Sequence, residues 1–203
     1  NVVGTVTVLQ ASRKNNIKNF VFSSTSAIYK GDQLNQSEQS SEDVCLSPYA
    51  ASKKSGEDLC HVYSKLYKLK TTILRFFNVY GERQHSQGQY APVIGTFMKQ
   101  KNENKSLTIT GNGSQRRDFV NVKDVVRALM LAENNTISGR IYNVGVGISY
   151  SVQEIADMIS SKQTYIDKRP GESKITKAII DRIKDELNWA PKINLKQWLK
   201  ERL

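Results

Sequence analysis

Residues 19–26 read NFVFSSTS and residues 70–77 read KTTILRFF. The first is a short apolar, aromatic run that turns abruptly into hydroxyls, the pattern of a buried parallel strand whose carboxyl end opens into a site. The second is another apolar, β-branched run of strand length. Between them, residues 30–47 are polar and net acidic and read as a loop. Pro48 suits the first turn of a helix, and Leu59, Val62, Tyr63 and Leu66 give residues 49–69 the spacing of a long amphipathic one. A strand, helix, strand order with short links is a βαβ unit, almost always a right-handed crossover in a parallel sheet. The fold class is therefore α/β, with a parallel sheet.

Outward from this unit, Val3, Val6 and Leu9 predict a helix over 1–14 that stops at Asn15 and Asn16. On the other side come a loop at 81–89, a helix at 92–102, a strand at 106–110 and a turn, GNGSQRR, at 111–117. A helix at 122–134, a strand at 140–144, a helix at 151–161 and a short strand at 164–166 follow, then helices at 176–188 and 195–202. There is no internal repeat, linker or low-complexity tract.

The composition, 38% hydrophobic and 24% charged with 12 Gly and 4 Pro in 203 residues, is that of a globular domain and excludes disordered, collagen-like and coiled-coil chains. The net charge of +11 favours anionic partners. Residues 97–127 carry seven basic against three acidic groups, and residues 158–178 five against two. Cys45 and Cys60 lie 15 apart without metal spacing, which suits reduced thiols and a cytoplasmic protein, and no metal site is expected. No run reaches the roughly 18 apolar residues of a membrane span, and residues 1–10 lack the pattern of a signal peptide, so no membrane partner is expected.

Ligands of such sheets sit beyond the carboxyl ends of the strands, which directs attention to residues 23–26 and 77–81. Tyr49 and Lys53 form a YxxxK pair one helical turn apart. An ammonium that close to a phenol favours phenolate and so a general base for an alcohol proton. Chance alone gives about one such pair in a chain of this composition, and a packed tyrosine beside a solvated lysine is the alternative. Position favours chemistry: Ser23, Ser24, Thr25 and Ser26 end the preceding strand and the pair opens the next helix.

The chain resembles the extended short-chain dehydrogenase/reductases, and among them the nucleotide-sugar epimerases similar to UDP-glucose 4-epimerase. The resemblance runs through NVVGT (1–5), NFVFSSTSAIY (19–29), SPYAASK (47–53), LRFFNVYGERQ (74–84), SLTITGNGSQRRDFVNVKDV (106–125), IYNVG (141–145), KRPGE (168–172) and ELNWAPK (186–192). It implies Thr25, Tyr49 and Lys53 as catalytic residues. It implies NAD as cofactor, with Ser23, Ser24, Tyr49, Lys53 and Phe76 at its nicotinamide end. A UDP-sugar would meet Thr25, Asn78, Thr108, Thr110, Arg117, Arg169 and Glu172, with Thr176 as a gate on sugar size whose small side chain admits an N-acetyl group. Arginine forks suit phosphate oxygens; the alternative for Arg117 is an ion pair with Asp118.

Sugar dehydratases of this family carry acidic residues after the catalytic hydroxyl, where this chain has Ser26 and Ala27. The resemblance thus implies oxidation and re-reduction at C4, that is, epimerisation. One feature departs from the family: no GxxGxxG or GxGxxG follows a strand. The expectation is an incomplete doubly wound, Rossmann-like parallel sheet with a smaller C-terminal substrate-binding α/β part, lacking most of the first mononucleotide-binding half and inactive by itself. Residues 1–77 and 119–145 would be the remnant of the NAD-binding domain, and 78–118 and 146–203 the substrate domain. Helices near 1–14 and 49–69 would form a homodimer face. The alternatives are another sugar-nucleotide enzyme, a dehydratase or reductase, or a non-catalytic nucleotide-sugar or RNA-binding module. Against RNA, no RNA-binding signature interleaves aromatics with the basic residues.

Overall fold

The structure is a computed structural model, and it describes all residues except 30–34, 41–44, 89–90, 136 and 169–172. Helix α1 (Val2–Lys14) precedes strand β1 (Asn19–Thr25), which runs into a single 3-10 turn, Ser26–Ile28. Helix α2 (Pro48–Tyr67) starts where the sequence places it. Ser47 Oγ accepts from Ala50 N at 3.1 Å with Pro48 in the first turn, and Lys68 ends the helix in the left-handed region. Strand β2 (Lys70–Phe76) returns parallel to β1 and pairs on its other side with β6 (Arg140–Val144), giving the order β1-β2-β6. The register sets Thr25 beside Phe76 and Phe76 beside Val144, so the three carboxyl ends are level.

The second half is a smaller assembly. Strands β3 (Asn78–Tyr80), β5 (Arg116–Asn121) and β7 (Ser149–Ser151) form one short mixed sheet, and β4 (Leu107–Thr110) and β8 (Gln163–Ile166) a parallel pair. Helices α3 (Val93–Asn102), α5 (Val152–Ile159) and α7 (Leu195–Lys200) cover them, while α4 (Val122–Glu133) and α6 (Asp181–Leu187) lie with the first sheet. Apolar residues gather accordingly. Leu74, Tyr142, Val144, Ile183 and Trp189 fill one core; Phe97, Ile109, Ile155 and Leu199 fill another. Leu9, Phe22, Cys60 and Ile73 close the space between α1, α2 and the parallel sheet.

In three places the fold departs from the pattern of its sequence. Arg116 and Arg117 are not turn residues. Gly111 and Gly113, at φ +61° and +71°, make the turn, and Arg116 begins β5, with its guanidinium on Ser149 O at 2.7 Å. Strands β3 and β7 have three residues each, too few for a period-2 pattern to register. The helix expected over 176–188 begins only at Asp181. Residues 176–179 stay out of the helix because N–H groups among them find partners elsewhere. Thr176 N donates to Arg116 O at 3.0 Å, Ala178 N to Asp118 Oδ2 at 3.0 Å and Ile179 N to Gln36 O at 2.9 Å.

This strap presses on the end of β6. A Cβ on Gly145 would lie 2.6 Å from Ala178 Cβ and 3.1 Å from Asp118 Oδ2. Gly145→Ala is therefore expected to cost about 1–3 kcal/mol through overpacking. By thermal unfolding this reads as a fall in Tm of about 2–12 °C, and an unchanged Tm would mean that the strap yields freely.

Candidate active site

The carboxyl ends of β1 and β2 and the first turns of α2 converge. Thr25 is buried, and its Oγ1 accepts from Ala27 N at 3.1 Å, which opens the 3-10 turn and leaves the hydroxyl proton uncommitted by that bond. Tyr49, in the first turn of α2, keeps about half of its surface exposed (51%), so its ring is presented to solvent at the rim. One turn on, Lys53 Nζ donates to Ser23 O at 2.8 Å and stands 5.2 Å from the Phe22 ring centre. Partial burial lowers the pKa of this ammonium from its usual value. Phe76, Thr25's register partner, is half-buried against the first core.

Of the four consecutive hydroxyls only some face this crevice. Ser23 is exposed, but the Ser24 side chain is buried and donates to Glu57 Oε1 at 2.5 Å. Ser24 is thus committed to the interior of the βαβ unit, because alternate residues of a strand point to opposite faces.

A cavity of about 440 Å³ opens in the second assembly, and it gathers Asn78, Thr108, Thr110 and Arg117. Most of its other walls are apolar or aromatic, among them Phe77, Val93, Phe97, Phe119 and Ile166. An apolar cleft with a few convergent polar groups is the usual form of a small-molecule site. Thr108 is held by a reciprocal pair with the Gln100 carboxamide: its N donates to Oε1 at 3.1 Å and its Oγ1 accepts from Nε2 at 2.8 Å. Gln115, which also lines the cavity and donates to Thr110 O at 3.0 Å, is a polar wall residue that sequence reading passed over. Its place beside the two arginines was the available signal.

The adjacent arginines divide their work. Arg116 bonds Ser149 and pairs with Glu154 at 3.0 Å, whereas Arg117 lines the cavity. Asp118, fully buried, is held by three backbone donors, Val146 N at 2.7 Å, Gly147 N at 2.8 Å and Ala178 N at 3.0 Å. Burial pushes its pKa up to about 6 against those N–H groups. Thr176 is buried in the strap behind β5, and its Oγ1 accepts from Asp118 N at 3.3 Å; it is not among the cavity-lining residues. Arg169 and Glu172 lie outside the described residues. Among the described residues no group of three or more His, Cys, Asp or Glu could hold a metal, and no helix is long and apolar enough to cross a membrane.

Comparisons with known proteins agree with this geometry. A protein of Methanocaldococcus jannaschii, named provisionally as a UDP-glucose 4-epimerase, is 37% identical over 98% of this chain and 67% of its own length. The structure of a UDP-N-acetylglucosamine 4-epimerase from Methanobrevibacter ruminantium M1, in complex with UDP-N-acetylmuramic acid, superposes with a TM-score of 0.93. That pair is 32% identical, covering 100% of this chain and 67% of the other. The UDP-glucuronic acid 4-epimerase from Bacillus cereus, in complex with UDP-glucuronic acid and NAD, gives 0.89 at 32% identity, covering 98% and 64%. The chain thus spans about two thirds of the length of these relatives. The profile of the NAD dependent epimerase/dehydratase family matches residues 1–145, and the chain belongs to that family.

Proposed function

We propose that the chain is the catalytic-helix and substrate-binding part of an NAD-dependent UDP-sugar 4-epimerase. Residues 1–77 and 119–145 would belong to the cofactor domain and 78–118 and 146–203 to the substrate domain. One observation carries the reading: Lys53, one turn from Tyr49, is hydrogen-bonded to the end of β1 two residues before Thr25, with Phe76 alongside. A phenol, an ammonium and a hydroxyl at one crevice are what moving a proton from a secondary alcohol needs.

Lys53, whose ammonium reaches Ser23 O, would hold the nicotinamide end of NAD together with Tyr49, the exposed Ser23 and Phe76. When bound, NAD supplies reversible hydride acceptance from C4. The chain's own residues do the rest. Tyr49 takes the C4 hydroxyl proton, with Thr25 as the intervening or orienting hydroxyl, and returns it after the 4-keto sugar has turned over. Lys53 holds positive charge beside the phenolate. Asn78 and Arg117 hold the diphosphate in the cavity, with Thr108 and Thr110 toward the base and Arg169 and Glu172 completing the nucleotide contacts. The sequence of Ser26 and Ala27 after the hydroxyl favours epimerisation over dehydration. By itself the chain offers no glycine-rich turn for the cofactor's pyrophosphate, so titration should show UDP binding with little NAD binding. NAD binding at micromolar affinity would overturn that.

The likeness to the solved UDP-N-acetylglucosamine 4-epimerase supports UDP-N-acetylhexosamine as substrate, whereas Thr176, buried behind β5 and bonded to Asp118 N, stands away from the cavity and adds no support as a gate. Comparing turnover of UDP-N-acetylglucosamine and UDP-glucose by the complete protein tests this, and no activity on the former would sink it. In the same assay Arg117→Ala is expected to raise KM about 10–100-fold, the loss of one or two charge-assisted hydrogen bonds to phosphate. A homodimer would pair through α1 and α2, which pack together and leave Val3, Val62 and Leu66 exposed; a monodisperse monomer in light scattering would contradict it.

A further inference from the structure

Beneath the crevice lies a buried polar network that the chemistry above does not use. Glu57 follows Lys53 by four residues and Tyr49 by eight, so all three lie toward one side of α2. Its carboxylate is fully buried (0% exposed) and takes three hydrogen bonds from two different strands. Arg75 of β2 donates twice, Nε to Oε1 at 2.9 Å and an η nitrogen to Oε2 at 2.6 Å; Ser24 of β1 donates at 2.5 Å. Ser24 and Arg75 are register partners, each one residue before Thr25 and Phe76.

The network continues away from the helix. Arg75 donates to the Tyr29 hydroxyl at 2.9 Å, and Tyr29 donates to Asn143 Oδ1 at 2.7 Å. Asn143 Nδ2 then donates to Gln36 O at 2.8 Å and to Ile179 O at 3.1 Å, the latter in the strap that carries Thr176.

A buried ion pair is a poor source of stability, since an apolar pair of similar volume serves as well or better. What this one supplies is geometry. A bidentate guanidinium–carboxylate fork fixes both distance and angle, and here it joins the helix bearing Tyr49 and Lys53 to the strand ends bearing Thr25 and Phe76. We propose that Glu57 is a positioning residue: through Arg75 and Ser24 it sets where Tyr49 and Lys53 stand relative to Thr25. Because Tyr49 and Lys53 ride on the same helix, loosening the clamp leaves their mutual spacing intact and shifts them together against β1. The nucleotide cavity, built on β3, β4 and β5, keeps its shape. Misplacement of a reacting group by about 1 Å lowers turnover on the order of 100-fold.

This inference rests on the assignment of Tyr49, Lys53 and Thr25 to epimerisation, and the test separates the two. In the complete protein, Glu57→Gln is expected to lower kcat about 10–100-fold while KM for the UDP-sugar moves less than about threefold. Glu57→Leu combined with Arg75→Met, an apolar replacement of the pair, is expected to recover thermal stability but to keep kcat low. A kcat that tracks Tm across these variants, returning to the wild-type value with stability in the double variant, would overturn the proposal. So would equal changes in KM. If the wild-type protein epimerises no UDP-sugar, the catalytic reading has failed and amide hydrogen exchange decides the clamp. Faster exchange in Glu57→Gln confined to residues 48–57, with α4 unchanged, upholds it; unchanged or uniformly faster exchange refutes it.

Discussion

Tyr49→Phe in the complete protein is expected to lower kcat by about 10²–10⁴-fold, the usual worth of a positioned general acid–base group. Affinity for UDP should change less than about threefold. The split follows from the geometry. The Tyr49 ring stands half exposed at the rim of the crevice, on the first turn of α2, and its hydroxyl is the only atom the substitution removes. The residues proposed for the diphosphate and base, Asn78, Arg117, Thr108 and Thr110, line a separate cavity on β3, β4 and β5. A tyrosine that merely packs beside a solvated lysine would give a kcat within a few-fold of wild type. Equal losses in kcat and UDP affinity would instead show the fold to be disturbed.

The second large effect is on stability. Trp189 is the largest fully buried side chain, and its indole Nε1 donates to Asp124 O at 3.0 Å. Asp124 Oδ2 in turn accepts from Lys192 N and Ile193 N, each at 3.0 Å, so the segment after α6 is pinned to the first turn of α4. Trp189→Ala opens a cavity in the main core and is expected to cost about 3–5 kcal/mol. For a chain of this size that is a fall in Tm of about 6–20 °C. A loss below about 1 kcal/mol in denaturant titration would mean that the C-terminal segment is not held as described.

The parallel βαβ unit was legible because its signals are local: an apolar run ending in hydroxyls and a Ser-Pro helix start. The spacing of Leu59, Val62, Tyr63 and Leu66 marked the helix but not its buried face, since Tyr63 is buried while Val62 and Leu66 are exposed. The Tyr49–Lys53 pair and the cavity position of Arg117 were legible through motif register. What sequence could not disclose depends on long-range partners. Glu57, flanked by Lys53, Lys54 and Asp58, reads as one more charge on a solvated helix, and only Arg75, 18 residues on, makes its burial tenable. Asp118 looked like a partner for Arg117, yet its carboxylate meets three backbone N–H groups of the loop after β6 and the strap. The strap's own sequence suits a helix; tertiary hydrogen bonds to Arg116, Asp118 and Gln36 overrode it.

Redox epimerisation at C4 can be followed by proton NMR of UDP-N-acetylglucosamine with the complete protein and NAD in D₂O. The C4 epimer is expected to accumulate to equilibrium with its C4 hydrogen retained, because the hydride leaves and returns without exchanging with solvent. A 4-keto-6-deoxy product carrying solvent deuterium would contradict it, as would epimer labelled with deuterium at C4.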